Sequence, residues 1–138
     1  MSPRTRGTLV AYLAWTLFVW ATRLSILWGS GSATGNRAVA SLLVLSFLGC
    51  AGVVAAVLVR ARGQEVPPGG AVLAIRLVAA WTVGVWVVRA VGIALDHHPV
   101  AFLLVHLVLA VVSITLALLS ARRIAADRSS ALVGADLD

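Results

Sequence analysis

The sequence is short of charge. Of its 138 residues, 12% are charged and 61% are hydrophobic, and the mean hydropathy is +1.02. Soluble domains carry about 25% charged residues, so too little polar surface is present to cover one. Disorder requires low hydrophobicity and high charge, and is excluded on the same ground. An integral membrane protein remains. Lysine is absent, and all eleven basic residues are Arg. Together with the abundance of Ala, Val and Leu, this is the bias of a GC-rich genome. The net charge of +6 raises nucleic acid as a partner. The Arg residues, however, cluster at the ends of apolar stretches and form no stripe on a soluble face, so none is expected. The single cysteine, Cys50, lies in an apolar run. It can form no intrachain disulfide, and no Cys/His spacing for structural zinc exists. No Asp or Glu falls inside an apolar run, which argues against carboxylate-based proton coupling. There is no nucleophile motif, phosphate loop or soluble catalytic domain. Neither enzymatic activity nor a cofactor is expected.

Four apolar runs are present, at Thr8–Trp28, Val39–Val59, Ala71–Leu95 and Val100–Ala121. Each reaches the roughly 20 residues that a helix needs to cross about 30 Å of hydrocarbon. Continuous runs exclude the alternation of a β-barrel. Gly29–Asn36 reads as a flexible loop, Pro67-Pro68-Gly69-Gly70 as a stop, and Asp96-His97-His98-Pro99 as a turn whose Pro99 opens the fourth helix. The first run is too long for a signal-peptide core and contains Arg23. The expectation is an all-α membrane protein: one four-helix bundle over residues 1–122, then a mobile cytoplasmic tail over 123–138. Arg4, Arg6, Arg60, Arg62, Arg122, Arg123 and Arg128 fall on one side of such a bundle, and only Arg37 lies in the loops of the other. The positive-inside rule then places both termini in the cytoplasm.

The first and third runs share a pattern. Ala14-Trp15-Thr16 followed by Val19-Trp20 and Arg23 matches Ala80-Trp81-Thr82 followed by Val85-Trp86 and Arg89. The second and fourth match more weakly when Val39 is set against Val100, which pairs His106 with Leu45. The chain therefore reads as two parallel copies of a helical hairpin, an arrangement that often places a site between the copies. On the fourth helix, His106, Ala110, Ser113, Ala117 and Ser120 share a face, and the positions matched to them are Leu45, Gly49, Gly52, Ala56 and Val59. Small residues let helices approach closely in lipid, so both stripes are expected to be packing seams.

Arg23 and Arg89 are the sharpest features. Each follows a Trp by three residues, so Trp20 and Trp86 can neighbour them on the helix, and a guanidinium over an indole face is favourable. Both lie near the outer ends of their helices. There they are either anchors on lipid phosphate, since a shallow Arg can snorkel, or a paired cationic site for an anion, lipid headgroup or carboxylate. Arg76 belongs to another face near the cytoplasmic end. His106 is expected at the depth of Arg89 across the 96–99 turn, facing protein. The candidate site is thus Arg23, Arg89 and His106, lined by Trp20 and Trp86, with Arg89 facing His106 and Arg23 approaching from the other hairpin. No metal site is expected at Asp96, His97 and His98, because adjacent residues point in different directions.

The segments Trp81–Arg89 and Val105–Ser113 resemble small four-helix integral membrane proteins of high-GC bacteria. The resemblance implies a compact, multi-pass protein of the bacterial inner membrane, and no activity. The acidic first-helix site of small multidrug exporters and the Gly-rich Arg motif of small fluoride channels are missing. A non-enzymatic accessory or interaction subunit is the expected function. Its partners are the lipid bilayer and either a second copy or a larger membrane complex. A small transporter or channel for an anion or organic acid is the alternative, and a haem or quinone redox partner comes third.

Overall fold

The computed structural model describes residues 1–29, 34–62, 64, 66–95 and 99–135. They form four helices: α1 (Pro3–Gly29), α2 (Thr34–Arg60), α3 (Gly69–Leu95) and α4 (Val100–Ala135). All four are long and apolar enough to cross a membrane. A helix is the form in which such runs satisfy every backbone N–H and C=O internally, as a lipid environment demands. The starts are set by local chemistry. Ser2 Oγ accepts the Thr5 backbone N–H at 3.2 Å, with Pro3 in the first helical position. Pro68 O receives the N–H groups of Ala71 and Val72, and Pro99 O those of Phe102 and Leu103.

The helices form a ring in chain order. α1 packs against α2 and α4, α3 packs against α4, and α2 and α3 meet least closely. α1 and α3 are joined across the centre, where Tyr12 Oη lies 2.6 Å from Thr82 Oγ1. Thr82 donates its hydroxyl proton to Val78 O at 2.9 Å, so Tyr12 is the donor to Thr82. One core section contains Leu9, Tyr12, Val54, Ile75, Ala117 and Ile124. A second, nearer the other end, contains Val19, Trp20, Val44, Phe47, Trp86 and Ala110.

The chain ends and the α2–α3 connection lie at one end of the bundle, here the terminal end. The N-terminal ammonium of Met1 donates to Gln64 O at 3.2 Å, and Ser2 N donates to Asp127 Oδ2 at 2.6 Å. Arg128 Nη1 donates to Pro67 O at 3.2 Å, and Arg123 donates to the Thr8 hydroxyl. The segment after residue 122, expected as a mobile tail, is instead helical to Ala135 as a continuation of α4. Ile124 is fully buried and continues the inward stripe one turn past Ser120. At 36 residues, α4 is about 54 Å long by helical rise and outruns the hydrocarbon.

The α4 stripe of His106, Ala110, Ser113, Ala117 and Ser120 is buried throughout. The expected α2 stripe is not the seam. Leu45 and Val59 are 62% and 58% exposed, and a Cβ added at Gly49 or Gly52 would meet no atom within 4 Å. The buried α2 positions are Val44, Phe47, Ala51, Val54, Val57 and Leu58. All but Val57 precede a buried α4 position (Ala110, Ser113, Ala117, Ser120, Ile124) by the same 66 residues that separate Trp20 from Trp86 and Thr16 from Thr82. At that offset His106 falls against Ala40, where the sequence pattern sets it against Leu45. Ala117→Leu should destabilise the bundle by about 1–3 kcal/mol, because overpacking a filled seam forces the helices apart. Gly52→Leu should change stability in detergent by no more than about 0.5 kcal/mol, as for other open surface positions.

Candidate functional site: a cationic cluster in the distal half

Arg23 and Arg89 each stand one turn beyond a Trp, in the half of the bundle away from the chain ends. Both are half-buried. The indoles before them are core residues. Trp20 stacks on Phe47 at a centroid distance of 4.2 Å and an interplanar angle of 14°. Trp86 is 3% exposed, and its indole N–H has no hydrogen-bond acceptor. Both tryptophans brace the backbone from which the arginines project. Phe47 covers one face of Trp20.

His106 is buried and fully engaged. Its Nδ1 lies 2.9 Å from Phe102 O, one turn back on α4, and its Nε2 is bonded to Arg23 Nη2. A carbonyl oxygen only accepts and a guanidinium only donates. The ring therefore carries its proton on Nδ1, accepts at Nε2, and is the neutral imidazole. Phe102 also packs on the ring, at a centroid distance of 4.0 Å. The hydrogen bond to His106 comes from Arg23 on α1. Arg89 and His106 share a cavity wall without a hydrogen bond between them.

Arg89 sits where three cavities converge. One, of about 420 Å³ between α3 and α4, is lined by Trp86, Arg89, Ile93, Leu103 and His106. A second, of about 460 Å³ between α2 and α3, is lined by Leu43, Ala80, Trp81, Gly84, Val85 and Arg89. The third, of about 270 Å³, has Trp20, Arg23, Ala40, Leu43, Val44 and Arg89 in its wall. This third space brings the two guanidiniums together, near enough for their like charges to repel. Among the described residues Arg89 makes no hydrogen bond. The arrangement can bind a group that carries negative charge and several acceptor oxygens, because a guanidinium presents a rigid fork of donors matched to phosphate or carboxylate.

Arg76 is exposed and lines none of these cavities, as its separate face implied. Asp96, His97 and His98 lie outside the described residues. Among the described residues no three His, Cys, Asp or Glu side chains come together. Sequence reasoning passed over Ala40, Leu43, Ser46 and Trp81. The Trp81 indole N–H donates to Ser46 Oγ at 3.3 Å and bridges α3 to α2 below the cluster. On the opposite side of the ring, the Trp15 indole donates to Ser113 Oγ at 2.9 Å and bridges α1 to α4. The repeated Trp was the signal, since an indole N–H in an apolar span needs an acceptor.

No protein-family model, curated protein or solved structure matches the chain.

Proposed function

We propose that the chain is a non-enzymatic accessory or interaction subunit of the bacterial inner membrane, and that it holds an anionic group in its outer half. It is built as two parallel copies of a helical hairpin, with both termini in the cytoplasm and the distal end outside. The observation that carries the reading is the convergence of Arg23 and Arg89 on one cavity, with no acceptor for Arg89 among the described residues. A half-buried cation without an acceptor is costly in lipid unless something supplies negative charge. The common offset of 66 residues between buried positions in the two halves supports the repeat. The cluster of seven Arg at the terminal end supports the orientation.

Two observations weigh against the other readings. The inner half is filled by Leu9, Tyr12, Val54, Ile75, Ala117 and Ile124, which opposes an aqueous path between the helices and so favours a binding role over transport. Both His106 nitrogens are already bonded, which leaves no lone pair for haem iron.

The test is the bound anion. Protein purified in a neutral detergent should carry an anionic species detectable by native mass spectrometry. Arg89→Gln should reduce its occupancy about tenfold or more, as expected for removing hydrogen bonds to a charged partner. Arg76→Gln should leave it unchanged. Equal occupancy in the two variants would remove the site. Orientation is checked with reporter fusions at Gly31 and at the C-terminus. Alkaline phosphatase should be active only at Gly31, and activity at the C-terminus would reverse the topology.

A further inference from the structure

We propose that the anionic group is the headgroup of an outer-leaflet phospholipid, one of whose acyl chains lies in the groove between α2 and α3. This rests on the cationic site proposed above and adds the class of molecule that occupies it.

The two helix pairs that the repeat matches differ: α1 and α4 pack more closely than α2 and α3. Where α1 meets α4, Arg23 is bonded to His106, and Trp15 to Ser113. Where α3 meets α2, Trp81 is bonded to Ser46, but the position matching His106 is Ala40. Ala40 offers a methyl group where its counterpart offers an imidazole nitrogen. The result is a cavity of about 270 Å³ shared by Ala40 and both guanidiniums. Among the described residues Arg23 has an acceptor and Arg89 has none, which leaves the Arg89 guanidinium open to an acceptor on a bound molecule.

The surroundings say what kind of molecule brings it. Leu43 and Arg89 also wall the neighbouring cavity of about 460 Å³, so the two spaces adjoin. That second space descends along α3 past Val85 and Gly84 to Ala80 and Trp81, and it is apolar apart from Arg89. Arg89 to Ala80 is nine residues, about 13 Å at helical rise, close to the half-thickness of the hydrocarbon core. The Trp81–Ser46 bond closes the groove at its lower end. Val88, on its wall, is 73% exposed, so the groove opens sideways toward lipid. A free inorganic anion would use the cationic end and leave the apolar length empty. A phospholipid fills both: phosphate on the guanidiniums, acyl chain against Gly84 and Val85. A cavity of about 320 Å³ near Arg60 at the inner end of the same helix pair offers only one Arg and lacks the facing pair.

The experiment uses the full chain in a neutral detergent, read by native mass spectrometry and Trp fluorescence. The probes are dioleoylphosphatidylglycerol, dioleoylphosphatidylcholine and inorganic phosphate. The phosphatidylglycerol should bind about tenfold or more tightly than the other two. Gly84→Leu should weaken it by a similar factor, because the added side chain fills the groove while its Cβ meets no protein atom within 4 Å. Ala80→Leu, at an exposed lining position, is the second plug should Gly84→Leu fail to fold. Binding of inorganic phosphate as tight as that of the lipid, lost in Arg89→Gln but not in either plug, would overturn the lipid assignment while the anion site stands. Lipid binding insensitive to Arg89→Gln would overturn both. Equal binding of phosphatidylcholine would overturn the choice of an anionic headgroup, and a plug that changes oligomeric mass without loss of lipid would overturn the lipid assignment.

Discussion

Replacing His106 with Leu should cost the bundle about 2 kcal/mol in detergent, and removing Arg23 at the same time should restore most of it. Interhelical hydrogen bonds between neutral groups in lipid average about 0.6 kcal/mol, because the unfolded chain in lipid finds other partners. Arg23 is a harder case. It carries a fixed charge, and His106 is the acceptor that α4 brings to it. Bonds to charged groups run about 1.5–3 kcal/mol, and stranding the charge is the larger part of that loss. His106 also donates to Phe102 O, but that carbonyl can keep its place in the helix without the side chain. Arg23→Leu alone should therefore cost less than His106→Leu, since it strands only a neutral nitrogen. The check is a double-mutant cycle of thermal unfolding with His106→Leu, Arg23→Leu and the pair. A coupling energy near 1.5 kcal/mol is expected. Additive losses would show that the contact holds the two side chains in place without stabilising α1 against α4.

The four helices could be read from composition because span length and apolarity are one-dimensional properties. The α4 seam could be read because polar residues mark it: His106, Ser113 and Ser120 would be misplaced in lipid, so they had to face protein. α2 has no such markers at the positions that count. Val44, Phe47, Ala51 and Val54 face the core, and Leu42, Leu45 and Val53 face outward. Lipid tails are as apolar as Leu, so hydropathy cannot separate the two faces. The small residues Gly49 and Gly52 then suggested the wrong one. The same gap left the offset between α2 and α4 open, since a weak match of Val and Leu runs fits several offsets.

The α4 extension had a legible signal that charge concealed. Ile124 follows Ser120 by four residues and keeps the stripe going, while Arg122, Arg123 and Asp127 around it resemble a solvated tail. The cationic cluster was legible in depth but not in pairing. Arg89 and His106 are on adjacent helices at similar distance from their shared turn, and that fixes height alone. Which Arg reaches the imidazole depends on how the ring closes between α1 and α4, a relation between hairpins that no local spacing encodes.

Ala40→His should both strengthen the bundle and empty the proposed site. The substitution gives Arg89 the acceptor that His106 gives Arg23. Ala40 is half-buried in the wall of the cavity that Arg89 lines, so an imidazole there has room to enter. One turn back in α2, the carbonyl of residue 36 lies where Phe102 O lies relative to His106, and it can accept the Nδ1 proton. The Nε2 lone pair is then free to accept from Arg89, and the ring fills space that lipid would otherwise occupy. Satisfying a charged donor and filling a void should together raise stability by about 1–2 kcal/mol in lipid-free detergent. Phosphatidylglycerol affinity should fall about tenfold or more, because its phosphate must displace a bonded imidazole. Ala40→Leu separates the two causes. It fills the same space without an acceptor, so it should block lipid without the gain in stability. Were Ala40→His to bind phosphatidylglycerol as the wild type does, Arg89 would not be the residue that holds the headgroup. Were it to lose lipid but gain no stability beyond Ala40→Leu, the asymmetry between the two Arg positions would be one of volume, and the missing acceptor would not explain the site.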